Sequence, residues 1–224
     1  MTFLAKTVGP GIWADTSEVL NLSQYQFLAL AGYRGCFRYI PRADGGGPTI
    51  QLAELQAALS VKCPDGSPFG IQFVQYSRSS GLSASTGQED GAAAAAYVKS
   101  LGVPNTVNVW QDLDVGPQAD CIAYSNASYA AMVSTYLASS APGCYCEPGY
   151  PLTAEQRYKL LNLHRYWATA ANDPNRFVSN RGVQVIQLWE SGNGEFSPIP
   201  GLVIDADAIQ SDYFVSFPVA VVSG

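Results

Sequence analysis

Short runs of β-branched and aromatic residues alternate with helical patterns through most of this chain, and that alternation restricts the fold more than any other feature. The strand-like runs "GPGIWADTS", "GCFRYI", "FGIQFVQY", "NTVNVWQDLD" and "GCYCEP" are separated by the helical stretches "NLSQYQFLALAGYRG", "IQLAELQAALSVKC", "GAAAAAYVKSLG" and "CIAYSNASYAAMVSTYLASS". Neighbouring parallel strands need a crossover of a dozen or more residues, and a helix usually supplies it. The stretch "TAEQRYKLLNLHRYWATAAN" satisfies either one long helix or a short helix ending near Leu163 followed by a strand "HRYWATA". "GVQVIQLWE" and "GLVIDADAI" add two strands with almost no helix between them. Eight strand candidates without a dividing linker predict a single α/β domain over 1–224, a compact TIM-like (β/α) barrel whose last helices are short or missing. An open doubly wound sheet is the alternative.

Local signals refine this outline. Leu22, Tyr25, Phe27, Leu28 and Leu30 form a helical stripe, with Gly32 as a stop. Ser85 or Thr86 is the expected N-cap of the alanine-rich helix, whose five consecutive alanines suit close packing against a sheet or another helix. "RADGGGPT" lacks the Lys-Ser/Thr pair of a phosphate-binding loop and reads as a flexible connection.

Composition excludes several classes of function. Of 224 residues 47% are hydrophobic and 13% charged, enough for one sizeable core and too few charges for disorder. A net charge of -6, from 18 acidic against 12 basic residues, leaves no basic footprint for nucleic acid. Cys36, Cys63, Cys121, Cys144 and Cys146 contain no CxxC pair and read mainly as buried small hydrophobes. His164 is the single histidine, which rules out histidine clusters for metals; neither a metal nor a cofactor is expected. "MTFLAKTVGPG" has no basic n-region with a long apolar stretch, and no window reaches a membrane span, so synthesis in a cytoplasm without membrane insertion is expected.

The candidate chemistry lies in aspartates at strand ends. In "NVWQDLDVG", Asp112 and Asp114 are i and i+2 and share one side of a strand if it persists that far. Two close carboxylates disfavour simultaneous ionisation, so one can keep a proton and serve as general acid. The plainer reading is an Asx-turn at Asp114 before Gly116-Pro117, with Asp112 capping a backbone amide. Asp15 closes the first strand and Asp205 closes the last, with Asp207 just beyond; in a closed barrel these strands are neighbours, so all four acids would share one mouth. Arg38 is the nearby cation, and Tyr39, Tyr76, Trp110, Tyr145, Trp167 and Trp189 are aromatics near strand ends suited to stacking on sugar faces.

The ordered series "GIWADTSE", "GYRGCFRYI", "GQEDGAAAAAYVKSLGVP", "NVWQDLD", "GCYCEPGYPL", "VIQLW" and "GLVIDADAI" resembles the glycoside-hydrolase-like barrel domains that are distant relatives of the family 25 lysozymes. The resemblance implies a sugar-binding acidic mouth, with Asp15, Asp112, Asp114 and Asp205 in the positions of the family's acids and Asp114 as proton donor. The family pair is Asp-x-Glu; here it is Asp-x-Asp, one methylene or about 1.5 Å shorter. The implied function is a cell-wall glycan hydrolase, for instance a phage-type lysin acting as a monomer on peptidoglycan after release. A non-catalytic carbohydrate-binding or virion-associated module on the same barrel is the alternative. A third reading, a cytosolic α/β protein, has the aspartates bind magnesium or calcium.

Overall fold

The strands and helices of the computed structural model follow the alternation of the sequence closely. The structure describes residues 2–76, 78, 80–113, 117–146, 152–163, 165–169, 183–189, 198–210 and 217–224. In chain order the elements are β1 (Phe3–Thr7), β2 (Gly11–Thr16), α1 (Leu22–Leu30), β3 (Gly35–Ile40), α2 (Leu52–Leu59), β4 (Gly70–Gln75), α3 (Ala84–Ser100), β5 (Val109–Leu113), α4 (Gln118–Thr135), β6 (Pro142–Cys146), α5 (Ala154–Leu160), β7 (Tyr166–Thr169), β8 (Val185–Trp189), β9 (Asp205–Ile209) and β10 (Val219–Ser223). The two-part reading of the ambiguous stretch is the right one, since α5 and β7 are separate elements.

Eight strands, β2 to β9, close on themselves because β4 pairs with β5 as well as with β3. β2 to β8 run parallel, while β9 is antiparallel to both of its neighbours, β8 and β2. An antiparallel neighbour needs no helical crossover. The last predicted strand is corrected: "GLVI" precedes the strand, and Asp205 opens β9 rather than closing it.

Strand alternation sends one set of side chains inward and the other toward the helices. Trp13, Phe37, Val74, Trp110, Tyr145, Trp167, Val185 and Ile209 pack together inside the barrel. Phe37 stacks on Trp167 at 4.4 Å, and Trp110 meets Trp167 edge-on at 6.0 Å. Their neighbours Ala14, Cys36, Ile40, Ile71, Phe73 and Val109 face the helices in a separate apolar layer.

The helices are seated by local chemistry. Asn21, Ser83 and Thr153 each form a capping box with the residue three positions on, which satisfies otherwise orphaned amides. Ser83 is therefore the cap of α3, in place of Ser85 or Thr86. On α1 the buried residues are Tyr25, Leu28 and Ala29, whereas Leu22, Phe27 and Leu30 are exposed, so only part of the predicted stripe faces the core. α3 and α4 touch backbone to backbone: a Cβ added to Gly87 or Gly91 would lie 2.2 Å from the carbonyl oxygen of Tyr124 or Ser128.

Two strands escaped sequence reading. β1 pairs antiparallel with β10, from Phe3↔Ser223 to Thr7↔Val219, and β10 meets β4 at Val221↔Ile71. Asn108 fixes β10 beside β5, accepting from the Val219 amide at 2.6 Å and donating to the Ala141 carbonyl at 2.7 Å. The chain ends are thus joined at the barrel end where the parallel strands begin. Among the described residues no helix is long and apolar enough to cross a membrane.

Candidate active site

The carboxyl-end rim of the parallel strands gathers the predicted acids by two different routes. Asp15 arrives at the end of β2 and faces inward with Trp13. Asp205 arrives at the start of the reversed β9 and pairs directly with Asp15 in the antiparallel register. Asp207, two residues further along β9, pairs with Trp13 and lies one inward position deeper. On the other side of the barrel, alternation along β5 turns Asp112 to the same side as the interior Trp110. Asp114 and Trp189, as regards its side chain, lie outside the described residues, as do His164 and the side chain of Cys146.

Burial controls the electrostatics at this rim. Asp15 is 6% exposed, and its Oδ1 has no hydrogen-bond partner among the described residues. Burial first, and then the charge of Asp205, push the Asp15 carboxyl well above the usual carboxylate range; the Arg38 guanidinium and the Thr16 amide act against them. Asp205 accepts a hydrogen bond from Gln187 Nε2 at 3.2 Å, and Gln187 Oε1 accepts from the Tyr145 hydroxyl at 2.7 Å. This relay from β6 over β7 to β8 and β9 fixes the Gln187 amide and ties Tyr145 to the acid pair. Gln187 has no charge or motif to mark it in the sequence; only its position on an inward face reveals it.

Arg38 takes a different place from the one expected. It is fully buried on the helix side of β3, donating from Nε to Glu54 Oε1 at 2.9 Å and from Nη1 to the Thr16 carbonyl. Glu54 also accepts from the Tyr25 hydroxyl at 2.9 Å and from the Leu20 amide at 3.1 Å. Arg38 therefore has no surface for a ligand, and it reaches the site through its field on Asp15 and Tyr76. The expectation of ligand-stacking tryptophans is also corrected for two of them: Trp110 and Trp167 are buried members of the interior aromatic plug. Trp110 Nε1 donates to Gln72 Oε1 at 2.8 Å.

Tyr39 and Tyr76 remain partly open at the rim, with ring centroids 4.6 Å apart. The glycine-rich loop is no loose connection here. Its Gly46 and Gly47 backbones lie against the Tyr76 ring, where an added Cβ would approach within 2.6 Å, and the Tyr76 hydroxyl donates to the Pro48 carbonyl at 2.6 Å. Glycine is required at these two positions by that contact.

A cavity of about 210 Å³ opens at the opposite end of the barrel, among Lys6, Pro10, Trp13, Arg34 and Gly70. It holds a surface Arg34–Asp65 pair and none of the rim acids, so the chemistry of this fold is sought at the rim. Cys36 and Cys63 are buried free thiols, and Cys121 and Cys144 are buried as well. Among the described residues no group of three or more His, Cys, Asp or Glu is arranged to hold a metal ion.

No family model matches the chain, and no curated protein matches it by sequence. Solved structures do match by shape. The Tat-secreted protein Rv2525c of Mycobacterium tuberculosis, in complex with L-tartrate, superposes with a TM-score of 0.64 at 18% identity, over 90% of this chain and 96% of that one. A family 25 glycosyl hydrolase from Bacillus anthracis gives 0.51 at 12% identity, over 93% and 91%. The fold is that of the family 25 glycosyl hydrolases. The modular autolysin LytC of Streptococcus pneumoniae also superposes, at TM-score 0.60 and 14% identity over 90% of this chain. The chain spans 47% of LytC, which has also been solved with a synthetic peptidoglycan ligand.

Proposed function

We propose that this protein hydrolyses glycosidic bonds of bacterial cell-wall peptidoglycan by carboxylate acid and base catalysis at the rim formed by Asp15, Asp112 and Asp205. One observation carries the reading. Two acids distant in sequence are paired at the carboxyl-end rim of a family 25 barrel, and one of them is buried with an oxygen left unbonded. A purely structural rim would leave its acids solvated or bonded to cations.

In this reading Asp114 protonates the glycosidic oxygen, while Asp112 steadies the positive charge that develops at the anomeric carbon. Asp15 and Asp205 bind sugar hydroxyls or tune that pair. Tyr39 and Tyr76 offer ring faces to the sugar at one side of the mouth, and Tyr145 lines the interior beside them. The substrate is a neutral or cationic polysaccharide strand, met by a monomer at the wall after delivery in the manner of a phage-type lysin.

The test is the clearing of a suspension of purified cell walls. Wild-type protein is expected to clear it, and Asp112→Asn and Asp114→Asn each to slow clearing by about 10²- to 10⁴-fold, the usual worth of a positioned acid or base. The shortened Asp-x-Asp pair favours one second reading, a carbohydrate-binding module without activity. Wild-type protein that binds wall glycan without releasing sugar would establish that reading in place of the hydrolase.

A further inference from the structure

We propose that Asp207 is a proton-holding member of the site, a positioning residue beneath the rim whose neutral carboxyl keeps a further negative charge away from the Asp15–Asp205 pair. Its consequence at the mouth rests on the glycan-hydrolase reading; its protonation does not.

The geometry leaves the carboxyl few alternatives. Asp207 has no exposed surface, and neither of its oxygens has a hydrogen-bond partner among the described residues. Its strand neighbours are Trp13 on β2 and Gln187 on β8. The Trp167 indole N–H faces it from β7 and favours the ionised form, but closes no hydrogen bond of normal geometry. The ionisable groups acting on it are Asp15 from β2 and Asp205 from its own strand, both acids that can only oppose its ionisation. Tyr33 and Cys36, on the helix side, also feel its charge, and Asp112 enters the interior from β5. Arg38 acts on Asp15 from outside the barrel and is itself engaged by Glu54. An ionised carboxylate at this position would exchange its water for neither a hydrogen bond nor a cation, so the group keeps its proton instead. Burial, followed by Asp15 and then Asp205, accordingly raises its pKa well above the ordinary value.

The sign of the effect on stability follows. Below about pH 3.9, the ordinary aspartate value, Asp207 is protonated in the folded and the unfolded chain alike. Above it the unfolded chain releases the proton while the folded chain retains it, so stability falls as pH rises toward the folded pKa. Ionisation of Asp207 at higher pH would then set a new charge beside Asp15, and it defines the alkaline limb of wall hydrolysis.

Asp207→Asn keeps the size and neutrality of the protonated acid and removes the titration. Its melting temperature is expected to match that of wild type near pH 4 and to exceed it by a margin that grows toward neutral pH. Carboxyl carbon NMR of wild type, with aspartate labelled, should show a resonance that stays protonated well above the ordinary aspartate range and is lost in Asp207→Asn. A stability difference that does not change with pH, or a resonance lost in the variant that titrates near pH 4, would overturn the proposal. In a protein that clears cell walls, the alkaline limb should move up by about one pH unit or more in Asp207→Asn. If wild type clears none, the melting and NMR measurements still decide whether Asp207 holds its proton.

Discussion

Asp90 and Asp207 are both aspartates without exposed surface, yet one lies between barrel and helices and the other inside the barrel. Asp90, on α3, accepts from Arg78 Nη2 at 2.9 Å, the Ala43 amide at 3.0 Å and the Tyr124 hydroxyl at 2.8 Å, and it pairs with Arg78 Nε as well. These bonds join the loop after β3, the segment after β4, and helices α3 and α4. Asp207 has no such bond. The same side chain, equally buried, is therefore a structural clamp in one layer and an uncompensated group in the other. Natural cores rarely leave buried polar atoms unbonded, so an interior carboxyl with neither oxygen bonded is a place where the fold gives up stability, as the proposed chemistry requires.

The contrast can be broken by making one substitution in both places. Asp90→Asn should be the most damaging change, because it removes the buried carboxylate shared by Arg78, the Ala43 amide and the Tyr124 hydroxyl, leaving the half-buried Arg78 only its half-exposed Asp44 partner. A loss of about 3–5 kcal/mol, the range for removing one partner of a buried pair, should appear in urea denaturation. Asp207→Asn is expected to act in the opposite direction above pH 4. An equal loss at the two sites would erase the distinction between the layers.

A smaller effect sharpens the same comparison within the interior. Gln72→Leu strands the Trp110 indole N–H and should cost about 1–3 kcal/mol by the same measurement, the range for one unsatisfied buried donor. The smallest effect belongs to the surface. Lys159→Ala removes the Glu155 pair on α5, whose side chains are 58% and 62% exposed, and should leave the denaturation midpoint unchanged.

Much of the barrel was legible because its signals are local. β-Branched runs, helical spacing and capping residues need only neighbours in sequence, and they placed β2 to β8 and the helices between them nearly correctly. β1 and β10 were not legible as a pair, because "FLAKT" and "VAVVS" stand at opposite ends of the chain and neither run names its partner. β9 shows a subtler failure. A strand carrying Asp205 and Asp207 on its buried face contradicts the expectation that inward positions are apolar, so the strand was ended where it in fact begins. Asp15 and Asp205 were still brought to one rim, since reversing β9 and moving its start leaves Asp205 at the same height in the sheet.

By itself the sequence determined the alternation of strands and helices, the acidic charge balance, and which acids stand at strand ends. Only the tertiary structure decided which of two opposed faces each side chain joins: Arg38 outward to Glu54, Trp110 and Trp167 into the plug, Gln187 onto Asp205, and Asp207 into an interior with no partner. The reason is that hydrogen bonding and desolvation depend on atoms a few ångströms away, and those atoms come from strands tens of residues apart in the chain.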